Sequence, residues 1–463
     1  MTHVKDKLAN VFHLRNNEAI IRSLKLTLLI FVIISISVIA LSRRYPAPGC
    51  LISKNYQNTL DTIARAPDSS PEASDLPTDI SHVLFGIGGS VHTWEERRRY
   101  SELWWQPGRT RGFVWLDENP DMKLFSDPNS PPFKVSESLA RLKNVGSGPA
   151  VRIARIVLES FRLRLPDVRW FVMGDDDTVF FPDNLISVLS KYDHRKMYYI
   201  GGSSESGTRC NAFMDVRGDA YGLLAAHPMT PLVSLHHLDY IKPLIPNRTK
   251  YESLNTLIKT YRLDPPRTMQ QSFCFYNHWW HRWSMSVSWG YTVQIYPLPL
   301  TANELQMPLQ TFLTWRSFTD GPFTFNTRPL SSNPCEAPAI FYISQVRDVG
   351  NETVTTYKRD ESTKKCKKGD YPHSIESVVV LASKMDPNYW TEGPRRQCCE
   401  IRGWKYNRME VRLHEKARVL CLARHNHFPY VDDQENYKNV RLYPGLRRKE
   451  KILFKCNRQR YRW

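Results

Sequence analysis

Residues 170–181 read WFVMGDDDTVFF, three consecutive carboxylates held between two apolar runs. Like charges this close repel, and at least one would stay protonated unless a cation sat among them. In extended backbone the side chains alternate, so Asp175 and Asp177 share one side while Asp176 points away. Oxygen ligands of this kind suit Mg²⁺ or Mn²⁺, ions often held by one or two carboxylates plus substrate phosphates. A solvated acidic turn is the plain alternative, but such turns seldom sit between two hydrophobic runs. The run therefore points to metal and phosphate chemistry.

The elements around it are those of an α/β fold. Val168 to Met173 is an apolar stretch of strand length that Gly174 lets turn outward. His82 to Phe85 predicts an earlier strand, followed by the glycine-rich stretch Gly86 to Ser90 and a helix over Trp94 to Trp105. Gly112 to Leu116 predicts a second strand, and a polar, proline-containing connection follows. Val151, Ala154, Val157, Leu158 and Phe161 recur at helical spacing before Pro166 ends the pattern. A further helix over Asn184 to Ser190 and a returning strand over Met197 to Ile200 complete the alternation. Folds of this class bind ligands beyond the carboxyl ends of their strands, which is where both the aspartates and Gly86 and Gly88 fall. The glycine stretch lacks the lysine of a nucleoside-triphosphate loop.

The chain of 463 residues is long enough for about two domains, and 41% hydrophobic and 12% aromatic content supports a real core. The net charge of +18 is concentrated toward the C-terminus, and no zinc-finger or RNA-binding signature accompanies it. A solvated basic surface, with no nucleic-acid partner, is the reading it supports. Leu26 to Leu41 is a nearly unbroken apolar run with basic residues on both sides. It predicts a cytosolic tail over 1–25, a membrane signal-anchor over 26–42 and a Pro- and Ser-rich stem over 43–79. The body then divides into an α/β domain over 80–330 and a β-rich, cysteine-containing region over 331–463. Asn247-Arg248-Thr249 and Asn351-Glu352-Thr353 are glycan acceptor triplets, consistent with a lumenal body. Six of the nine cysteines follow residue 330 and read as disulfide partners. A bond between the adjacent Cys398 and Cys399 would be strained, which favours separate partners among Cys366, Cys421 and Cys456. Trp279, Trp280, Trp283 and Trp289 read as core packing rather than a sugar platform.

Several stretches resemble the plant Fringe-related proteins of the Fringe/β-1,3-galactosyltransferase group. They are HVLFGIGGSVHTWEERRRYSELWW, RGFVWLDE, the run from Trp170 to His194, YYIGGSSES, DVRGDAYGLLAAHPMTPLVSLHHLD, LDPPRTMQQSFC and WGYTVQIYP. The resemblance implies a GT-A fold, Rossmann-type with a mixed sheet, in a single-pass type II Golgi membrane protein with its body in the lumen. It also implies Mn²⁺-dependent transfer from a UDP-sugar to a glycan or glycoprotein acceptor, with inversion. By the same resemblance Asp177 holds the metal, Asp175 assists, and Asp176 lies toward the donor sugar and ribose. A downstream histidine completes the metal site: His227 is the first candidate, His236 or His237 the second.

One departure bears on activity. In the family, YYIGGSSES leads through a glycine-rich loop and a helix to an acidic pair, one carboxylate of which is the general base. Here Ser206 is followed by GTRCNAF, and Asp215 resumes the later pattern almost at once. Glu205, Asp215 and Asp219 are the nearby carboxylates, and nothing assigns any of them to catalysis. The donor half of a transferase site is present in the sequence and the acceptor half is not. Two other functions compete with transfer: a relative that binds nucleotide or partners without turnover, and a phosphoester hydrolase using the same aspartates.

Overall fold

The structure is a computed structural model that describes residues 76–139, 148–201, 216–278, 281–314, 326–361, 366, 374–391 and 396–414. The chain divides after Leu76, and everything below concerns the residues from Pro77 onward. The expected membrane anchor, the expected stem as far as residue 75, and the stretch between Ser206 and Asp215 where a shortening was expected lie outside the described residues. Among the described residues, no helix is long and apolar enough to cross a membrane.

A parallel four-stranded sheet carries the aspartates. Strand β1 (Val83–Gly88) lies between β2 (Gly112–Leu116) and β4 (Trp170–Asp175), with β3 (Phe133–Val135) outside β2. Val83, Leu84, Phe85 and Ile87 are all buried, the continuous apolar run expected of a parallel strand covered on both faces. Helices α1 (Val91–Trp104) and α2 (Gly148–Arg162) make the crossovers. The register sets Gly88 beside Asp175. Beneath the acidic turn, Phe85, Trp104 and Phe180 pack as a triangle with ring centroids 4.9–5.4 Å apart. Trp104 also donates its indole N–H to the Thr178 carbonyl at 3.3 Å. Gly174 makes room for this core, because a Cβ there would meet the Phe180 ring at 2.9 Å.

Three sequence expectations need correcting here. Gly86 and Gly88 do not form a loop; they continue β1, and both are buried. A side chain at Gly86 would strike Met173 Sδ at 2.7 Å, so its absence lets β1 approach β4. The returning strand at Met197 to Ile200 is not formed, and among the described residues the sheet is parallel rather than mixed. Instead Tyr198 packs its ring on Trp170 and Tyr192, while Met197 and Tyr199 stand in solvent. On α2 the apolar positions Val157, Leu158 and Phe161 are likewise partly exposed.

The chain continues through β5 (Val179–Phe180), α3 (Pro182–Leu189), β6 (Val216–Gly218), α4 (Tyr221–Ala225), β7 (Ser234–Leu235) and α5 (Lys250–Tyr261). It then enters β8 (Gln271–His278), β9 (His281–Ser288), β10 (Thr292–Tyr296), α6 (Ala302–Gln306) and β11 (Phe312–Thr314). Last come β12 (Ala339–Val349), β13 (Glu352–Arg359), β14 (Ser377–Ser383), β15 (Gln397–Lys405) and β16 (Arg408–Leu413). The C-terminal region is β-rich as its sequence predicts. Its five strands close with β8, β9 and β10 into an eight-stranded barrel, so the barrel draws on both sides of residue 330. Trp283 and Trp289 are buried in this core, as expected; Trp279 and Trp280 lie outside the described residues.

The disulfides differ from the expected pairing. Cys399 bonds to Cys274 across the parallel strands β15 and β8, and Cys366 bonds to Cys335. The first pairing spans 125 residues, and only closure of the barrel reveals it. Cys398 is disulfide-bonded as well.

Two buried polar groups shape the stability of the body. Arg267, 2% exposed, donates to Asp264 Oδ2 at 3.0 Å, to Gln397 Oε1 at 2.7 Å and to the Ser383 carbonyl at 2.7 Å. It thus ties the end of α5 to β14 and β15. Asp264 in turn accepts from the Met385 N–H. His227, just beyond α4, is buried and its Nε2 lies 3.1 Å from the Thr230 carbonyl. Burial pushes its imidazole down to about 4, with the Arg396 charge adding to the shift against the pull of Thr230.

Removing Arg267 should leave the Asp264 charge buried without its partner, costing about 3–5 kcal/mol. In denaturant unfolding, Arg267→Met should therefore lose more stability than the double variant Arg267→Met/Asp264→Asn. A double-variant loss equal to the sum of the losses of Arg267→Met and Asp264→Asn would show that the pair is not coupled. His227 predicts an acid-sensitive step. The unfolded state takes up a proton near the ordinary value of 6.5, while the folded state resists it until about 4. Stability is complete above the first value and falls as pH drops toward the second, by about 3 kcal/mol. A stability–pH profile of His227→Gln should show a shallower fall across that window than the parent protein.

Candidate metal centre

Strand β4 ends at Asp175, and Asp176 and Asp177 form a turn rather than extended backbone. The predicted division of the side chains nevertheless holds. Asp175 Oδ2 lies 3.4 Å from His236 Nε2 and Asp177 Oδ1 lies 3.1 Å from His236 Nδ1. Asp176 turns the other way, accepting from Thr93 Oγ1 at 2.6 Å and from an Arg97 N–H at 2.8 Å.

What brings His236 here is the two-residue ladder between β5 and β7, with Val179 opposite Leu235 and Phe180 opposite Ser234. The Phe181 N–H to Val233 carbonyl bond, 2.9 Å, extends it. Thr178 and His236 are the next residues outward, and Thr178 Oγ1 meets His236 Nδ1 at 2.9 Å. Thr178 Oγ1 also accepts from the Asp175 N–H at 3.1 Å, which fixes the turn. The chain then passes through His237 in the left-handed region (φ 58°), a conformation costly for a non-glycine residue. The two imidazole rings lie 4.0 Å apart.

Asp177, His236 and His237 each offer a ligand atom within 4.8 Å of the others. Asp177 Oδ1 is buried and, among the described residues, has no partner beyond the ion-pair contact with His236 Nδ1 at 3.1 Å. An orphaned carboxylate oxygen facing imidazole nitrogen is the donor set a divalent cation would complete. Asp175, its side chain 42% exposed, opens this group to solvent, whereas Asp176 and Asp177 are almost wholly buried. Of the histidine candidates, the structure assembles His236 and His237 with Asp177; His227 is not in the group, its ring being committed to Thr230.

The electrostatics separate the three carboxylates. Burial raises Asp175, and the neighbouring charges of Asp177 and Asp176 add to it against the pull of His236. Burial also raises Asp176, despite its bonds to Thr93 and Arg97. For Asp177, burial is outweighed by His236, Arg97 and His237, which hold its carboxyl below the usual range. Asp177 is therefore the aspartate most firmly ionised and best suited to a cation.

Sequence reasoning passed over Arg97, Thr93, Asp117 and Asp239. Arg97 bridges Asp176 to Asp239 Oδ2, 2.7 Å away, and Tyr100 donates to the other Asp239 oxygen at 2.9 Å. Thr93, Arg97 and Tyr100 follow at helical spacing on α1, which was a legible signal that they share a face. Which of Arg97, Arg98 and Arg99 turns inward was not legible. Asp117, ending β2, accepts from Ser90 Oγ and the Val91 N–H, both at 2.9 Å, and so seats the start of α1. Gly88 contributes backbone: its carbonyl accepts from the Asp176 N–H at 2.9 Å. Neither Gly86 nor Gly88 offers a side chain or an open loop to a ligand.

Protein-family models match two adjoining stretches. One, described as Fringe-like, covers residues 115–214; the other, described as Protein of unknown function, DUF604, covers residues 207–399. A search among curated proteins found no match. The first stretch supplies the three aspartates and the second supplies His236 and His237, so the candidate site draws one half from each. Together the two matches support a Fringe-related family for this chain, and with it a glycosyltransferase type of function.

Proposed function

We propose that the protein is a GT-A-type glycosyltransferase that binds a UDP-sugar through Mn²⁺ and transfers the sugar, with inversion, to a glycan or glycoprotein acceptor. The observation that carries this is the buried, hydrogen-bond-free Asp177 oxygen beside two histidines at the end of a parallel strand. A mixed carboxylate and imidazole set suits Mn²⁺ better than Mg²⁺, which prefers oxygen and water. When bound, the ion supplies Lewis acidity to the leaving diphosphate. The residues divide the remaining work. Asp177 and His236, with His237, hold the ion; Asp175, open to solvent, faces the diphosphate side. Thr178 engages His236 Nδ1 and so orients the ring, leaving Nε2, on the Asp175 side, as the nitrogen that would bind the ion. Arg97 neutralises the inner carboxylate Asp176, which keeps the donor pocket from accumulating three negative charges. The Golgi lumen, reached by the anchor over 26–42, is the compartment this reading assigns.

A second reading, nucleotide binding without transfer, is favoured by how the remaining carboxylates are occupied. Asp239 is bound to Arg97 and Tyr100, and Asp219 accepts from the Tyr221 N–H. Neither is poised to deprotonate an acceptor hydroxyl, in keeping with the shortened stretch before Asp215.

Thermal unfolding of the purified protein with UDP and Mn²⁺ tests the donor site. The pair together should raise the midpoint where either alone does not, by the equivalent of about 2.7 kcal/mol at a hundredfold excess over Kd. Asp177→Ala and His236→Ala should abolish the shift, while His227→Gln keeps it. An undiminished shift in Asp177→Ala would overturn the metal assignment. Turnover separates the two readings: consumption of a UDP-sugar with an acceptor glycan supports transfer, and UDP binding without consumption supports the second. Efficient transfer to an acceptor glycan would remove the second reading.

A further inference from the structure

The acceptor triplets at Asn247 and Asn351 take no part in the metal centre, and the structure places both asparagines where a large substituent fits. Asn351 follows Gly350 in the tight turn joining β12 to β13 and is exposed. Its backbone carbonyl accepts from the Lys384 N–H at 2.9 Å, so the turn is anchored while the side chain projects from the barrel. Asn247 is exposed too, in the left-handed region (φ 59°) that asparagine tolerates well, three residues before α5 begins. Nearby apolar and charged surface would be covered by a glycan at each. Val349, 55% exposed, stands at the tip of the β12–β13 hairpin. Asn247 borders a depression of about 290 Å³ lined by Arg248, Lys358, Asp360 and Glu361.

The disulfides supply an independent observation about compartment. Cys274–Cys399 and Cys335–Cys366 are built into the body, and such bonds persist in oxidising compartments of the secretory route. That route is also where asparagine acceptors meet their glycan donor. We propose that Asn247 and Asn351 both carry N-linked glycans. In the modification, the amide nitrogen bonds to the anomeric carbon of a polyprenyl-diphosphate oligosaccharide. The anomeric carbon–oxygen bond breaks, the polyprenyl diphosphate leaves, and the amide gives up one proton. This inference does not rest on the sugar-transfer reading, because the protein is here the acceptor.

The structure also dictates how to test it. Thr353 is buried and its hydroxyl donates to the Ala382 carbonyl at 3.3 Å, so removing it would disturb the barrel. Thr249 caps α5 in a capping box with Glu252, and its loss would weaken the helix. The clean variants are Asn247→Gln and Asn351→Gln. The full chain should be expressed in a eukaryotic secretory host and treated with an N-glycan amidase in heavy-oxygen water. Peptide mass should then show both asparagines converted to labelled aspartate. On gels, each single variant should lose one glycan step and the double variant all of them. Unlabelled Asn247 or Asn351 in a chain whose Cys274–Cys399 bond is intact overturns the assignment at that residue. Unlabelled asparagines together with reduced cysteines overturn the compartment argument and the proposal with it.

Discussion

Val179 and Phe180 pair with Leu235 and Ser234, and the metal centre hangs from that two-residue ladder. It joins the acidic turn to a segment almost sixty residues later and sets Thr178 against His236. The ladder is short, so its geometry depends on what packs beneath it. Phe180 lies in the aromatic triangle with Phe85 and Trp104, and Leu235 is fully buried. Aromatic packing of this kind adds roughly 0.5–1.5 kcal/mol per pair beyond area burial. The rigidity of the turn thus comes from the hydrophobic core below it rather than from the polar groups above.

Three adjacent carboxylates in a largely buried turn are an electrostatic problem, and the fold answers it unevenly. Asp176 is turned inward to Thr93 and Arg97, and Arg97 is itself held by Asp239. Burial disfavours the guanidinium charge, but Asp176, Asp177 and Asp239 keep it protonated. Asp177 faces imidazoles, and Asp175 faces solvent. One carboxylate is compensated by Thr93 and Arg97, one is partly exposed beside His236, and one retains a buried oxygen without a hydrogen bond among the described residues. That oxygen, beside His236 and His237, is the feature on which the proposed cation site rests.

The rest of the molecule holds these parts in place. Arg267 and Asp264 join the end of α5 to the barrel, and the Cys274–Cys399 bond locks β8 to β15. A buried pair of this type contributes little net stability compared with apolar residues, yet losing one member is costly. At the other end β4 is the edge of the sheet among the described residues, beside the exposed Met197 and Tyr199.

Much of the α/β layer was legible because its signals are local. The apolar runs at β1, β2 and β4, the helical spacing in α1 and α2, and the aspartates at a strand end all follow from period and turn chemistry. Gly86 and Gly88 misled because glycine marks both loops and close strand packing, and only the nearness of Met173 distinguishes the two. Met197 to Ile200 has strand composition without a strand, since a ladder needs a partner that local sequence does not name. The cysteine pairs were unreadable for the same reason: closure of the barrel, not spacing, sets Cys399 beside Cys274. By itself, then, the sequence determined that three carboxylates stand at the end of a strand in an α/β layer, the place where a cation and a phosphate were expected. Tertiary structure alone decided that His236 and His237 rather than His227 meet them, and that Arg97 takes Asp176 out of the group. Those contacts join residues far apart in the chain, where only the pairing of strands and the packing of helices determine which side chains meet.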